Sequence, residues 1–323
     1  MKAVRVEPSP QGGKVEWQEV ATPVAKAGQV LVRVRAAGVN RGDINRVREA
    51  RSGAAFTAGI EFAGEIAAVG PQVTGWSEGE RVMGHARGSQ AEYVLCDPLA
   101  MMRVPDGLSW AEAAAFPNVF ITAHDAVVTN GKVRAGESVL INGASGGVAV
   151  AAIQIASLLG ASPVIASSRS AAKLDRLARF GVDVGVNASN ESQVDAVMAA
   201  TSNRGVDLIV DTVGGTVFQA NMESLAVKGR LVHIARLGSA KAEIDLGTLW
   251  LKRLQLIGVT FRTRTEEERL ECIQACARDM LPFLQAGKVQ LPIDRTFSIA
   301  AVVEAQAWMQ RDQHIGKIIL LVD

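Results

Sequence analysis

Ala144, Gly146 and Ala149 stand in the spacing A-x-G-x-x-A, behind the apolar run Val139-Leu-Ile141 and ahead of an apolar stretch that closes on Gly160. That order reads as a buried strand, a tight turn and a helix, which is how the first βα unit of a nucleotide-binding sheet is built. The chemistry such a turn offers is anion binding. Glycine lets the backbone bend sharply and a pyrophosphate come to contact distance, while a helix starting near Val148 aims its free N–H groups and positive dipole end at that anion. Ala144, Ser145, Gly146, Gly147 and Val148 are therefore the candidate pyrophosphate-binding residues. The competing reading is a strand-to-helix turn with no ligand.

A second group of residues follows the turn. No acidic residue occurs between Ser138 and Leu174. A sheet that binds NAD places a carboxylate about 20 residues past the turn to hold the ribose 2′-hydroxyl. Here the strand Val164-Ile-Ala-Ser167-Ser168-Arg169 ends in hydroxyls and a guanidinium instead. Arg169 forks onto phosphate, Ser167 or Ser168 donates to it, and Lys173, one turn into the next helix, adds a point charge. The pattern predicts NADPH as cofactor. The alternative is that Arg169 and Lys173 are the solvated edge of a surface helix.

The elements that position these residues fall into two patterns. Residues 1–120 read as mostly β: Ala3–Val6, Val30–Ala36 and Glu65–Val69 are strand-like, and glycines at 12, 13, 75, 79 and 88 punctuate the segment. A partly closed sheet domain is expected. From 121 to 260 strands and helices alternate, with strands at Ser162–Ser167, Val184–Asn187, Leu208–Val210, Arg230–Ile234 and Gln255–Val259. With the first strand at 139–141, this predicts a six-stranded parallel sheet whose ligands lie at the strands' carboxyl ends. After Val259 comes a helix with the capping box Thr265–Glu268, then a return to strand in Lys317–Val322. Residues 261–323 are thus expected to rejoin the first domain, with the nucleotide domain inserted between.

At 323 residues the chain is long enough for two full cores, and its net charge of +1 gives no reason to expect nucleic acid or an anionic membrane as partner. Met1 opens directly onto a strand-like segment, and no apolar run nears the ~20 residues of a membrane span, so a cytoplasmic location is expected. Cys96, Cys272 and Cys276 are too few for a disulfide framework. Cys272 and Cys276, one helical turn apart, are either small core residues or a pair able to bridge or bind metal.

Several further stretches carry a resemblance: Ala37-Gly-Val-Asn40-Arg-Gly-Asp43, Gly59-Ile-Glu61-Phe-Ala-Gly64, Gly79-Glu-Arg-Val82, Ala91-Glu-Tyr-Val94, Asp211-Thr-Val-Gly-Gly215 and His314-Ile-Gly-Lys317. Together with the central turn they resemble the medium-chain dehydrogenase/reductase superfamily, and within it the zinc-independent quinone oxidoreductases that include zeta-crystallin. The stretch Lys252–Arg262 is most similar to the branch of the p53-inducible quinone reductase. The resemblance implies an α/β fold: a Rossmann-type sheet domain beside a mostly β, partly closed, barrel-like (GroES-like) catalytic domain. In zinc members a cysteine stands at the position of Asn40 and a histidine at that of Ile60, so both ligands are gone. The four histidines show no paired spacing to replace them. No metal site is expected. Without a Lewis acid the chemistry favours an acceptor that is already electron-poor.

The resemblance implies hydride transfer from NADPH to a small-molecule quinone or activated alkene, with Asn40 beside the nicotinamide ribose, Thr122 near the carboxamide, and Asp43 among the catalytic candidates. Read from the sequence alone, Asn40 is equally a turn residue and Thr122 a helix-start hydroxyl. Thr212, His233, Ile234 and Ala235, at strand ends, are expected to line the cofactor with Phe261 and Arg262. Asp211, before a glycine pair, reads more readily as a turn-fixing carboxylate. Arg262 and Arg264 either face the cofactor cleft or lie in a solvated loop. His124 is a candidate proton donor or a buried structural histidine.

Relatives carry a tyrosine shortly after the position of Asp43 and another at that of Ala188, whereas the one tyrosine here is Tyr93. Arg46–Gly53 lacks the prolines and aromatics usual there, which makes the acceptor pocket atypical. An enone or enoyl-thioester reductase and a non-catalytic, crystallin-like NADPH-binding protein are the alternatives. The apolar strand Leu254–Val259 is expected to end the sheet, and an edge of this kind invites pairing, which with the resemblance implies a homodimer.

Overall fold

The first eight strands of the computed structural model, which describes residues 1–322, pair antiparallel. They are β1 (Lys2–Glu7), β2 (Lys14–Glu19), β3 (Val30–Val39), β4 (Phe56–Thr57), β5 (Glu61–Val69), β6 (Arg81–His85), β7 (Tyr93–Cys96) and β8 (Met101–Arg103). Strand periodicity decides which residues go inside: Val30, Val32 and Val34 are buried, while Arg33 between them is exposed. β3 is long enough to serve two partners on one side. Its first half pairs with β7 and its second half with a strand from the far end of the chain.

Helix α1 (Arg41–Glu49) starts directly after β3, and α2 (Trp110–Ala115) opens on a Ser109–Glu112 capping box and buries Ala113, Ala114 and Ala115. The chain passes into its second unit within α3 (Pro117–His124), which runs on into a π-helical turn, Asp125–Asn130.

Within that second unit, Phe120–Arg269, strands and helices alternate. They are β9 (Val139–Asn142), α4 (Gly147–Leu158), β10 (Val164–Ser168), α5 (Ala171–Asp175), β11 (Val184–Asn187), α6 (Gln193–Ala200), β12 (Val206–Asp211), α7 (Phe218–Ser224), β13 (Leu225–His233), α8 (Leu246–Lys252) and β14 (Gln255–Gly258). All six strands are parallel, in the order β11-β10-β9-β12-β13-β14. That is the doubly wound order, with its switch point between β9 and β12. Leu140, Ile165, Ile209 and Leu231 lie level across four strands and make one layer of the core. Lys252, ending α8, donates to the carbonyls of Glu223 and Leu225, each at 2.8 Å, and so caps α7.

The capping box at Thr265 and Glu268 opens α9 (Glu266–Gln285), which carries the chain back to the first unit. There β15 (Ile293–Ser298), α10 (Val302–Gln310) and β16 (Lys317–Leu321) complete a seven-stranded sheet in which β16 lies antiparallel to β3. β15 and β8 end the ladder, so the sheet is only partly closed, beside the smaller sheet β2-β1-β4. Among the described residues no helix is long and apolar enough to cross a membrane.

Candidate functional site

The sequence brings four polar residues into one row at the carboxyl edge of the parallel sheet. Ser167, Asn142, Asp211 and His233 are register partners from β10, β9, β12 and β13. Directly after this row the chain turns at Gly143, whose φ of +69° is a left-handed conformation, and a Cβ there would lie 2.2 Å from Thr212 Oγ1. Thr212 is held in place because its hydroxyl donates to the Asn142 carbonyl at 2.9 Å.

Gly146 is the N-cap of α4, and no side chain caps that helix. A Cβ on Gly146 would meet nothing closer than the Gly143 carbonyl oxygen at 3.8 Å, so the turn has open space where a pyrophosphate would approach. Ala144, at the first fingerprint position, is fully buried, with its N–H on the Ser167 carbonyl at 3.0 Å.

At the end of β10, Ser167 and Ser168 are buried and Arg169 is exposed. Ser168 Oγ accepts the Ser170 N–H at 3.3 Å. Lys173 follows on α5. Its ammonium donates to Ser145 Oγ at 3.4 Å and so lies at the glycine turn itself. Hydroxyls and cations without a carboxylate suit a phosphate-bearing ribose.

Asp211 is the turn-fixing carboxylate. Fully buried, it accepts from the N–H groups of Val213 at 2.8 Å and Gly214 at 3.0 Å, and holds His233 Nδ1 at 3.1 Å. Ile234 and Ala235 follow, half-buried. Phe261 is half-buried and Arg262 exposed. Arg264 is held by an ion pair: its Nη2 donates to Asp125 Oδ2 at 2.7 Å, and that carboxylate is 1% exposed. Thr122 lies well inside α3 rather than at its start, and His124 is buried at the end of the same helix.

The first unit holds a separate polar centre. Asn40, the N-cap of α1, donates through Nδ2 to Glu61 Oε1 at 2.8 Å, and its Oδ1 accepts from Lys317 Nζ at 2.8 Å and Asn118 Nδ2 at 2.9 Å. Lys317 Nζ also donates to Glu61 Oε1 at 2.5 Å, while the Asn118 N–H donates to Glu61 Oε2 at 2.8 Å. Gly38 admits this carboxylate, since a Cβ there would lie 2.0 Å from Glu61 Oε1. Asp43 Oδ2 accepts the Asn40 N–H at 3.0 Å. Burial pushes the Asp43 carboxyl up to about 7 and the Glu61 charge adds to this, against the Asn40 hydrogen bonds and the Lys317 charge.

Asn40, where zinc relatives are expected to carry cysteine, is thus tied to an internal ammonium. Among the described residues no group of three or more His, Cys, Asp or Glu is placed to hold a metal ion. Asn118 gave no sequence signal. Lys317 gave one, as a lysine opening the otherwise apolar strand Lys317-Ile-Ile-Leu-Leu321.

Residues 26–128 match the alcohol dehydrogenase GroES-like domain, and residues 147–277 match the zinc-binding dehydrogenase family. The chain belongs to the medium-chain dehydrogenase/reductase superfamily, a group of oxidoreductases. It is 29% identical over 307 residues to quinone oxidoreductase-like protein 2 of Bos taurus, covering 94% of this chain and 88% of that one. Over 308 residues it is 33% identical to the phenolphthiocerol synthesis polyketide synthase type I Pks15/1 of Mycobacterium marinum, again 94% of this chain but only 14% of that protein's length. An alcohol dehydrogenase superfamily protein of Novosphingobium aromaticivorans superposes with a TM-score of 0.89 at 29% identity, over all of both chains.

Proposed function

We propose that this protein is an NADPH-dependent, zinc-independent oxidoreductase that passes a hydride to a quinone or a related electron-poor acceptor. The observation that carries the cofactor reading is the carboxyl edge of β9 and β10: an open glycine turn, an uncapped α4, and a strand end that offers Ser167, Ser168 and Arg169 where an NAD site needs a carboxylate. Ala144 to Val148 would hold the pyrophosphate, with Lys173 beside Ser145 adding charge there. Ser168 and Arg169 would hold the 2′-phosphate, and Thr212 and His233 to Ala235 would line the remainder. Bound there, NADPH supplies the hydride.

The chain's own share is orientation and charge. Asn40 is fixed at both ends of its amide by Glu61, Lys317 and Asn118, so it is suited to holding a ribose hydroxyl in one geometry. Its position, with Ile60 in place of histidine, supports chemistry without zinc. Asp43, one turn into α1, keeps its proton close to neutral pH and is the acid this centre offers.

A second reading, an enone or enoyl-thioester reductase, is favoured by the match to a segment of a polyketide synthase. A panel of an ortho-quinone, a para-quinone, a simple enone and an enoyl thioester, followed as NADPH and NADH oxidation, decides. Quinone turnover with NADPH preferred is the expected result. Turnover of the alkenes alone would favour the second reading, and NADPH binding without any turnover would favour a non-catalytic module.

A further inference from the structure

Three arginines lie around β4, and two of them, Arg46 and Arg87, are exposed. Arg46 lies over the Phe56 ring at 3.9 Å from its centroid, and Arg5 donates to Thr57 Oγ1 at 3.3 Å. The Arg87–Gly88 turn runs against the same strand: a Cβ on Gly88 would lie 3.5 Å from that of Thr57. Partial desolvation holds Arg46 below the ordinary arginine value and the charge of Arg87 adds to this, while Asp43, one turn back on α1, works the other way. Among the described residues no carboxylate lies within salt-bridge distance of Arg46 or Arg87. The neighbouring Arg41 and Arg35, by contrast, each have a carboxylate partner, in Asp312 and Glu65.

We infer that Arg46 and Arg87 form an oxyanion-binding subsite, and that the acceptor carries a carboxylate or phosphate in addition to its electron-poor alkene or quinone. Two like charges on one surface with no carboxylate at salt-bridge distance are a standing attraction for an anion, and stacking on Phe56 fixes the plane of the Arg46 guanidinium in advance. A planar fork of this kind takes two oxygens of a carboxylate or phosphate at once. Arg46 lies on the same helix as Asp43 and three residues from it, so the two side chains share a face. The subsite therefore sits one helical turn from the proposed acid, a spacing that fits an acceptor with its anion a few bonds away from the reacting carbon. This inference rests on the reductase reading for its substrate, but not for the anion site itself.

The test has two arms. In the first, protein saturated with NADPH is titrated calorimetrically with succinate and with inorganic pyrophosphate, as wild type and as Arg46→Gln/Arg87→Gln. Binding by wild type that weakens about tenfold in the double variant is expected. In the second, acceptors are compared in pairs that differ only in the anion: 4-oxopent-2-enoate with its methyl ester, and a crotonyl thioester of coenzyme A with that of N-acetylcysteamine.

The charged member should show the higher kcat/KM, and the charged-to-neutral ratio should fall about tenfold in the double variant. A preference within the first pair assigns the anion as carboxylate, and within the second as phosphate. No anion binding by the wild type, or a ratio that the double variant leaves unchanged, overturns the subsite. If no acceptor is turned over, the reductase reading fails while the calorimetric arm still decides the anion site. A matching thermal melt for wild type and variant keeps misfolding out of both arms.

Discussion

The Lys317 ammonium donates to Glu61 Oε1 although 256 residues separate the two in sequence, and their side chains are 4% and 0% exposed. Each also has other partners: Asn40 and the Val39 carbonyl for the lysine, Asn40 and the Asn118 N–H for the carboxylate. The pair therefore ties the last strand of the chain to β5 and to the start of α1.

Breaking the pair from one side leaves a buried charge without its counter-ion, which costs about 3–5 kcal/mol. Lys317→Met is accordingly expected to lose stability of that size in urea unfolding. Lys317→Met combined with Glu61→Gln removes both charges and should recover most of the loss. Equal losses in the single and the double variant would mean that packing, not charge, holds β16 in place.

Asp43 gives the same centre a pH dependence of definite sign. Its carboxyl is raised from 3.8 to about 7 in the folded protein. Between those values the unfolded chain has released this proton and the folded chain keeps it, so this group's contribution to stability falls as pH rises from about 4 to about 7 and is level above. Asp43→Asn removes the titration while keeping an acceptor for the Asn40 N–H. The stability of the variant relative to wild type should rise by about 2–3 kcal/mol between pH 5 and pH 8. A difference that stays flat across that range would show that the carboxyl titrates as an ordinary aspartate.

How far the sequence reached depends on how local each signal is. The turn from Gly143 to Gly147 and the strands around it are written in consecutive residues, and the six-stranded sheet follows from their alternation. Asp211 also behaved as its neighbours suggested, because a carboxylate before two glycines closes a turn within three residues. Pairings between distant elements were not legible. Arg264 finds Asp125 across 139 residues and Lys173 finds Ser145 across 28, and nothing in either local pattern names the partner. Thr122 was misplaced within its helix for a related reason: Pro117 marks the true start, and the apolar residues that follow it gave no boundary of their own.

The glycine turn predicts two variants that differ in kind. Gly143→Ala meets both a φ of +69° and the Thr212 hydroxyl at 2.2 Å, so a loss of about 1–3 kcal/mol in folding stability is expected, together with weaker NADPH binding. Gly146→Ala places its methyl in open space at an ordinary φ of −72° and should unfold within about 0.5 kcal/mol of wild type. Its NADPH affinity should nonetheless fall, because the methyl occupies the room through which the pyrophosphate approaches. Unfolding curves and fluorescence titration of NADPH separate the two effects. Full NADPH affinity in Gly146→Ala would remove the turn as the pyrophosphate site.

β14 ends the parallel sheet and, among the described residues, has β13 as its one strand partner. Leu256 on that strand is 39% exposed, and on the preceding helix Trp250 and Leu251 are 77% and 72% exposed. A bare edge flanked by apolar side chains is a template for a further strand, and a second copy of the same edge satisfies both at once through a two-fold axis. We therefore predict a homodimer of twice 34.1 kDa in sedimentation at micromolar concentration. Leu256→Lys places like charges close together across the proposed axis and should shift the protein to monomer while its circular dichroism spectrum stays unchanged. A wild-type protein that sediments as a monomer would leave this edge without a partner of its own kind, and an unchanged dimer in Leu256→Lys would move the contact elsewhere on the chain.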